Sequence, residues 1–268
     1  MDRHDVIVVG AGISGLAFAW KAAQAGRKAL VLEREDRVGG CIHSVRREDG
    51  YWYELGAHTV YNSYGAFLDI AVGTGVSKDI VERGPARSHF GLMRDGQYKW
   101  LTPPKILLQL NWLEAAVSAP FGFFRSKEGQ TVKSYYGSLI GRRNYERLFG
   151  PFFAAVPSQS ADGFPVDGPG SLFKKRPRRE EFIRSFGFKG GLGALCDAAA
   201  RAGNVTTETG VTVRKISRGG AGYVVETADG RRLEAEIVAV AVPPNVAAEL
   251  LGVDFPEVRR QLERVKTV

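Results

Sequence analysis

Residues 6–15, Val6-Ile7-Val8-Val9-Gly10-Ala11-Gly12-Ile13-Ser14-Gly15, constrain the fold of this chain more than any other segment. Four apolar residues running without a gap into G-x-G-x-x-G describe a buried parallel strand, a tight turn and the start of a helix. Each glycine has its own reason to be there. Gly10 allows the turn, Gly12 removes the side chain that would block a pyrophosphate, and Gly15 lets the helix lie close on the strand. Ala11, Ile13 and Ser14 complete the turn, whose backbone amides meet phosphate oxygens at a helix N-terminus.

The helical pattern continues from Leu16 to Ala25, with Gly26 placed as its C-cap, and a second strand runs over 29–32. That strand ends at Glu33, near the spacing at which a carboxylate accepts hydrogen bonds from the ribose hydroxyls of adenosine. An acid there disfavours a 2'-phosphate, and so NADP. A lone G-x-G-x-x-G is weak evidence. Here strand, helix, second strand and terminal acid stand in register, and dinucleotide binding is the expectation over a purely structural turn.

With 268 residues, 44% hydrophobic and 25% charged, the chain is long and apolar enough for one large or two modest cores, which excludes disorder and a miniature scaffold. Cys41 and Cys196 form no C-x-x-C pair and read as free thiols in a reducing compartment. The N-terminus enters a strand pattern within five residues, leaving no room for a signal peptide, so a cytoplasmic location is expected. The net charge of +8 suits nucleic acid, an anionic membrane or an acidic small molecule; its densest run, around Lys174 to Arg179, reads as a solvated loop. Nucleic acid is not expected as a partner, since no strand platform interleaves aromatic and basic residues. Neither a metal cluster nor a nucleophile triad nor a paired acid is apparent, and no catalytic side chain is assigned.

The residues after Glu33 choose between dinucleotides. Glu33-Arg34-Glu35-Asp36-Arg37-Val38-Gly39-Gly40-Cys41 resembles the E-x-x-x-R-x-G-G-R segment of the flavin-containing amine oxidase superfamily, which includes protoporphyrinogen oxidases and carotenoid desaturases. The resemblance implies FAD. It places Gly39 and Gly40 where backbone approaches the flavin side of the pyrophosphate, with Arg34 and Cys41 in the same cofactor-binding segment. Cys41 stands where many members have arginine, and Glu35 where amine oxidases often have arginine, which argues against a typical amine oxidase. Tyr53-Glu54-Leu55-Gly56-Ala57-His58 resembles the family segment lying against the isoalloxazine ring. Gly56 and Ala57 would give the ring room, and His58 is either a polar neighbour of the flavin or a histidine satisfied by local backbone. Downstream, a strand over 211–216 and a hairpin of 223–226 with 233–242 around Asp229-Gly230 match the family order. There the adenine meets backbone at the position of Val213, and the last strand ends at Val242-Pro243-Pro244.

Between these pieces the character changes. His89 to Met93 and Gln97 to Leu101 read as a hairpin, followed by helical stretches over 105–118 and 131–149. Ile106, Leu107, Leu110, Leu113 and Val117 recur at helical spacing, which core packing explains by default. The sharper alternative is a surface that dips into a membrane, because Lys105, Arg125 and Lys127 flank the stretch. Polar residues and Pro120 interrupt it well short of a membrane span. The segments 131–152 and 186–192 resemble those of protoporphyrinogen oxidase-like enzymes.

The expected architecture is α/β: a Rossmann-like FAD-binding domain, its parallel sheet carrying a β-hairpin or meander, formed by 1–86 and 189–252. An α+β substrate-domain insertion spans 87–188, and the next substrate segment begins at 253–268. The family's C-terminal G-D segment and final helix are absent, which leaves a truncated chain, a shortened homologue or one subunit of a split enzyme whose partner chain supplies the rest. The expected function is an FAD-dependent dehydrogenase or oxidase removing hydride from a flat, largely apolar small molecule. A protoporphyrinogen-like tetrapyrrole comes first, polyene desaturation second and amine oxidation third. Peripheral membrane contact is a further expectation, and a non-catalytic FAD- or ADP-binding subunit is the competing reading.

Overall fold

The apolar run 6–9 becomes the third strand of a six-stranded sheet in the computed structural model, which describes residues 2–82, 90–220 and 222–266. The chain divides into two compact units, one of residues 1–82 with 178–267 and one of 83–177. In the first part of the first unit lie β1 (Asp2–Val9), α1 (Ile13–Gln24), β2 (Ala29–Leu32), β3 (Ser44–Arg46), β4 (Trp52–Glu54), β5 (Val60–Tyr61), α2 (Gly65–Gly73) and β6 (Ile80–Glu82). The second unit holds β7 (Phe90–Arg94), β8 (Gln97–Leu101), α3 (Pro103–Leu107), α4 (Trp112–Phe123), α5 (Val132–Ile140), α6 (Arg142–Asn144) and α7 (Gly150–Ala154). The chain then returns to the first unit through β9 (Ser185–Phe188), α8 (Gly193–Ala200), β10 (Val205–Glu208), β11 (Val213–Gly219), β12 (Gly222–Thr227), β13 (Arg232–Val240), α9 (Pro244–Leu251) and α10 (Pro256–Leu262).

The large sheet has the order β10-β2-β1-β13-β12-β11. Its first four strands are parallel, with Val6–Val9 opposite both Ala29–Leu32 and Ile237–Val240. Val6, Val8 and Val31 enter one core with Leu16 and Ala19 of α1, while Ile7, Val9, Leu30 and Leu32 enter another with Ile216, Val225 and Leu250. Both faces of the sheet are covered, which explains an uninterrupted apolar run in place of alternation. The antiparallel hairpin β12–β13 turns at Asp229-Gly230, where the Thr227 hydroxyl bonds to Asp229, and β11 forms the edge.

The insertion comes out as 83–177 where the sequence suggested 87–188. Strand β9 lies between β5 and β6 in a three-stranded sheet, and its Phe186 and Phe188 are fully buried with Leu68 and Leu195. Those two side chains bind residues 178–188 to the first unit. At the other end, Phe255 and Leu262 pack on the core of β11 and α9.

In the second unit, β7 and β8 form a hairpin through Asp95 and Gly96, both at positive φ, the geometry of a two-residue primed turn. The strand expected from His89 begins at Phe90; His89 lies outside the described residues. The helix expected over 105–118 is two helices, because Asn111 caps the second by accepting from the Glu114 N–H at 3.1 Å. Asn144 ties this cap down, its Oδ1 accepting from the Asn111 N–H at 2.8 Å and its amide donating to the Asn111 carbonyl at 3.0 Å. The helix expected over 131–149 starts in a Thr131/Ser134 capping box and breaks at Gly141. A short helix and a π-helical turn over Tyr145–Phe149 then lead into α7. Tyr145, Tyr136, Phe149 and Phe153 pack with Val132 and Ala161 into the core of this unit. The aromatic density there is in large part interior, and Tyr145, whose hydroxyl donates to Asp162 at 2.8 Å, has its acidity weakened by burial.

Candidate functional site

The turn after β1 owes its shape to what surrounds it. Gly10 sits at φ +100°, and a β-carbon there would lie 2.7 Å from the Ala241 carbonyl oxygen, so the turn presses against the end of β13. Its N–H donates to the Leu32 carbonyl at 2.8 Å, and the Ala241 N–H donates to Val9 at 2.8 Å. A β-carbon on Gly15 would collide with the Gly10 carbonyl oxygen and approach Val8 Cγ1 at 3.1 Å. Helix α1 reaches its close packing on β1 only without that atom. Gly12 is the contrast: its β-carbon would meet nothing within 4 Å. It is the N-cap of α1, no side chain caps the first turn, and Ile13 and Ser14 follow with Ser14 exposed. An uncapped helix start beside open space is an anion site by construction.

The second glycine pair closes on the first. Gly12 and Gly39 form a parallel bridge, and the Gly39 N–H donates to the Ala11 carbonyl at 2.8 Å. A β-carbon on Gly40, at φ +57°, would lie 3.3 Å from the Gly12 Cα. Two glycine-rich loops 28 residues apart in sequence thus meet with no side chain between them. Arg37 holds the second loop, donating to the Gly40 carbonyl at 2.9 Å and to the Val38 carbonyl at 3.3 Å. Cys41 is exposed beside it. A β-carbon on Gly56 would collide with the Cys41 carbonyl oxygen, and the Ala57 N–H reaches that oxygen at 3.4 Å. The 56–58 segment is therefore folded onto the same loop. His58 is exposed, with Nδ1 3.3 Å from the Gly56 carbonyl, the local backbone contact weighed above.

Glu33 connects the two halves of the site. One carboxylate oxygen accepts from the Ala11 N–H at 2.7 Å and the other from the Glu35 N–H at 3.0 Å. A carboxylate has about four acceptor positions, so both oxygens keep capacity for sugar hydroxyls. The Glu33 carbonyl accepts from the Val211 N–H at 2.8 Å, which brings the approach to β11 beside this acid and leaves Val213 at the sheet edge. Arg34 takes no part in the turn; its guanidinium bonds to Glu35 at 2.9 Å on the surface.

Sequence reasoning gave Glu54 and Ser44 no role. The Leu192 N–H donates to Glu54 at 2.7 Å, the Gly193 N–H donates to the Ser44 hydroxyl at 2.8 Å, and that hydroxyl donates to Glu54 at 2.7 Å. Together they cap α8, while Arg46 bonds to the Gly190 carbonyl at 2.6 Å and pairs with Asp197 at 3.1 Å. The signal was an acid inside the 53–58 segment, which reads equally well as a ligand contact. Cys196, on α8, lies under Gly39, and burial pushes its thiol up to about 12.

This arrangement fits a dinucleotide. Gly12 marks the floor of a cradle that a side chain would fill, the amides at the start of α1 would meet a diphosphate, and Glu33 would face the adenosine sugar. Such a site on a parallel sheet defines a dinucleotide-binding protein, and the facing Gly39-Gly40 loop sets it apart from a bare mononucleotide turn.

The chain belongs to the flavin-containing amine oxidoreductase family, whose signature it matches over residues 13–267, and FAD is its cofactor. It is 27% identical to the chloroplastic protoporphyrinogen oxidase of Nicotiana tabacum over 290 residues, covering 92% of this chain and 52% of that protein. It is 45% identical to the 15-cis-phytoene desaturase of Narcissus pseudonarcissus over 60 residues, covering 22% of this chain and 10% of that one. Its fold is like that of a candidate protoporphyrinogen oxidase from Exiguobacterium sp. 255-15, with a TM-score of 0.74 at 21% identity, over 99% of this chain and 64% of the other. The chain thus spans about half the length of the tobacco relative.

Proposed function

We propose that this chain supplies the FAD-binding unit and part of the substrate unit of an oxidoreductase acting on a flat, largely apolar molecule, a protoporphyrinogen-like tetrapyrrole first. The observation that carries the cofactor half is the approach of Gly40 to Gly12 with no side chain between them. For the substrate, matches of equal identity and nearly equal extent to the tobacco protoporphyrinogen oxidase and to a flavin-containing monoamine oxidase of Mycobacterium tuberculosis run through much of 83–177 as well as the nucleotide unit. Extent therefore does not rank tetrapyrrole above amine; the order rests on Glu35 and Cys41, where this chain departs from the amine oxidase pattern. The phytoene desaturase match is too short to include both, and polyene desaturation stays second.

A bound flavin supplies a hydride acceptor. The chain's own residues bind and orient it. Amides at the start of α1, after Gly12, would take the diphosphate, Glu33 would take the ribose, and the Gly39-Gly40 and Gly56-Ala57 backbones would border the flavin. No side-chain base is assigned, and hydride removal from an activated C–H bond does not require one in contact with the reacting carbon.

The test is a visible spectrum of the purified chain, followed by anaerobic mixing with a protoporphyrinogen, a polyene and a primary amine. A yellow protein bleached by the tetrapyrrole alone supports the proposal. A colourless protein that does not take up FAD removes the cofactor reading, and a yellow one bleached by another member of the panel removes the substrate.

A further inference from the structure

Residues 209–212, between the end of β10 at Glu208 and the start of β11 at Val213, pass beside the adenosine end of the cradle. The Glu33 N–H donates to the Glu208 carbonyl at 2.9 Å, the Val211 N–H to the Glu33 carbonyl at 2.8 Å and the Gly210 N–H to the Glu35 carbonyl at 2.8 Å. The connection is wrapped round the acid that would face the sugar. Beyond it, β11 is an edge strand with one extra residue, Arg214, between the Val213–Thr227 and Lys215–Glu226 pairs. A bulge of this kind takes backbone groups out of the ladder, which leaves them for a ligand.

A side chain from the neighbouring hairpin fastens this connection. Arg231, in the turn between β12 and β13, donates from a terminal guanidinium nitrogen to Glu208 Oε2 at 2.9 Å and from Nε to Asp229 Oδ2 at 3.0 Å. Its carbonyl accepts from the Thr227 N–H at 3.0 Å, so the backbone from which it reaches is itself fixed. The same turn meets the other end of the connection, where the Ala228 N–H donates to the Thr212 carbonyl at 2.8 Å. The Glu208 and Arg231 side chains are 35% and 38% exposed, and a pair so placed adds little to the stability of the fold. Its position gives it a different use, because Glu208 and Thr212 bracket the wall beside Glu33. We propose, on the cofactor assignment alone and independently of the substrate, that Arg231 is a positioning residue for FAD: through Glu208 it holds residues 209–213 in the shape that receives the adenosine half. A wall already in that shape loses less conformational freedom when the cofactor binds, and affinity rises accordingly.

The experiment is calorimetric titration of the full chain, freed of flavin, with FAD and separately with ADP. R231M and E208A each weaken FAD binding about fivefold, the upper end for an ion pair of this exposure. Each weakens ADP by the same factor, because the half that the two ligands share is the half affected. The double variant R231M/E208A binds no worse than either single one, since the two side chains act as a unit. R231K, which keeps a cation within reach of Glu208, recovers part of the loss. R232M removes the next positive charge on the same hairpin, whose partner is Glu226, and leaves both affinities unchanged, which separates positioning from general attraction of an anion. Unchanged near-ultraviolet circular dichroism establishes that each variant is folded; should R231M fail to fold, R231K and E208Q make the same comparison. A merely structural pair lowers the denaturant midpoint and leaves both binding constants alone. The proposal is overturned if the Arg231 and Glu208 variants bind FAD and ADP as the parent does, or if the single losses multiply in the double variant. A parent that takes up neither ligand overturns the cofactor assignment and the positioning role together, whereas a binding parent with unaffected variants overturns the positioning role alone.

Discussion

Gly12 and Gly15 stand three residues apart in one motif and make opposite demands. Gly12 has backbone angles that any residue adopts and open space where its side chain would be. Gly12→Val should therefore fold with a stability within about 0.5 kcal/mol of the parent, as expected of a surface change. The same protein should emerge without flavin, which absorbance after purification reads directly. Gly15→Val drives atoms into the Gly10 carbonyl and should cost about 3 kcal/mol or more by denaturant titration. Glu33→Ala removes the acceptor of two backbone N–H groups and should cost about 1–3 kcal/mol, with FAD affinity falling as well; Glu33→Gln keeps one acceptor and should lose less of both.

Among the elements, α8 shows how far apart in sequence a helix and its cap can be. Glu54 and Ser44 lie on the β3–β4 hairpin, more than a hundred residues before the Leu192 and Gly193 amides that they satisfy. Glu54→Ala should lower the unfolding free energy by about 1 kcal/mol, a typical loss for a cap, and Glu54→Gln should restore part of it. Flavin retention by Glu54→Ala is the discriminating readout. A capping role leaves the spectrum of the bound flavin unchanged, whereas a direct contact shifts it.

For the molecule as a whole, the two thiols report folding from opposite environments. Cys41 is exposed and Cys196 is buried. A thiol reagent should titrate one cysteine in the native protein and two in denaturant. Cys196 is raised from 9.0 to about 12, first by burial and then by the neighbouring Asp197. The unfolded chain ionises this thiol near its ordinary value while the folded chain keeps it protonated. Its contribution to stability is thus complete below that value and is lost as pH climbs toward 12. Denaturant midpoints measured between about pH 8 and about pH 11 should fall, and Cys196→Ala should flatten the decline.

Much of the nucleotide unit was legible in the sequence because its signals are local. A strand, a turn glycine and a helix start are set by φ, ψ and residue size within ten positions, and an acid at the end of the next strand is found by counting. Membership of the flavin family followed from residues 33–41 for the same reason. What tertiary structure decided was everything that depends on a partner distant in sequence: that residues 178–188 belong with the first unit, because Phe186 and Phe188 find their core there; that Arg34 faces Glu35 and Glu54 caps a helix; that Asn111, held by Asn144, splits a helix that periodicity draws as one. The outward face of α4 belongs to the same class: Leu113 and Val117, which periodicity assigns to a core, are exposed. Periodicity marks an apolar stripe and gives its width, but only the packing of Glu114 and Gly122 toward α5 and the segment after it determines which side is left to the surroundings.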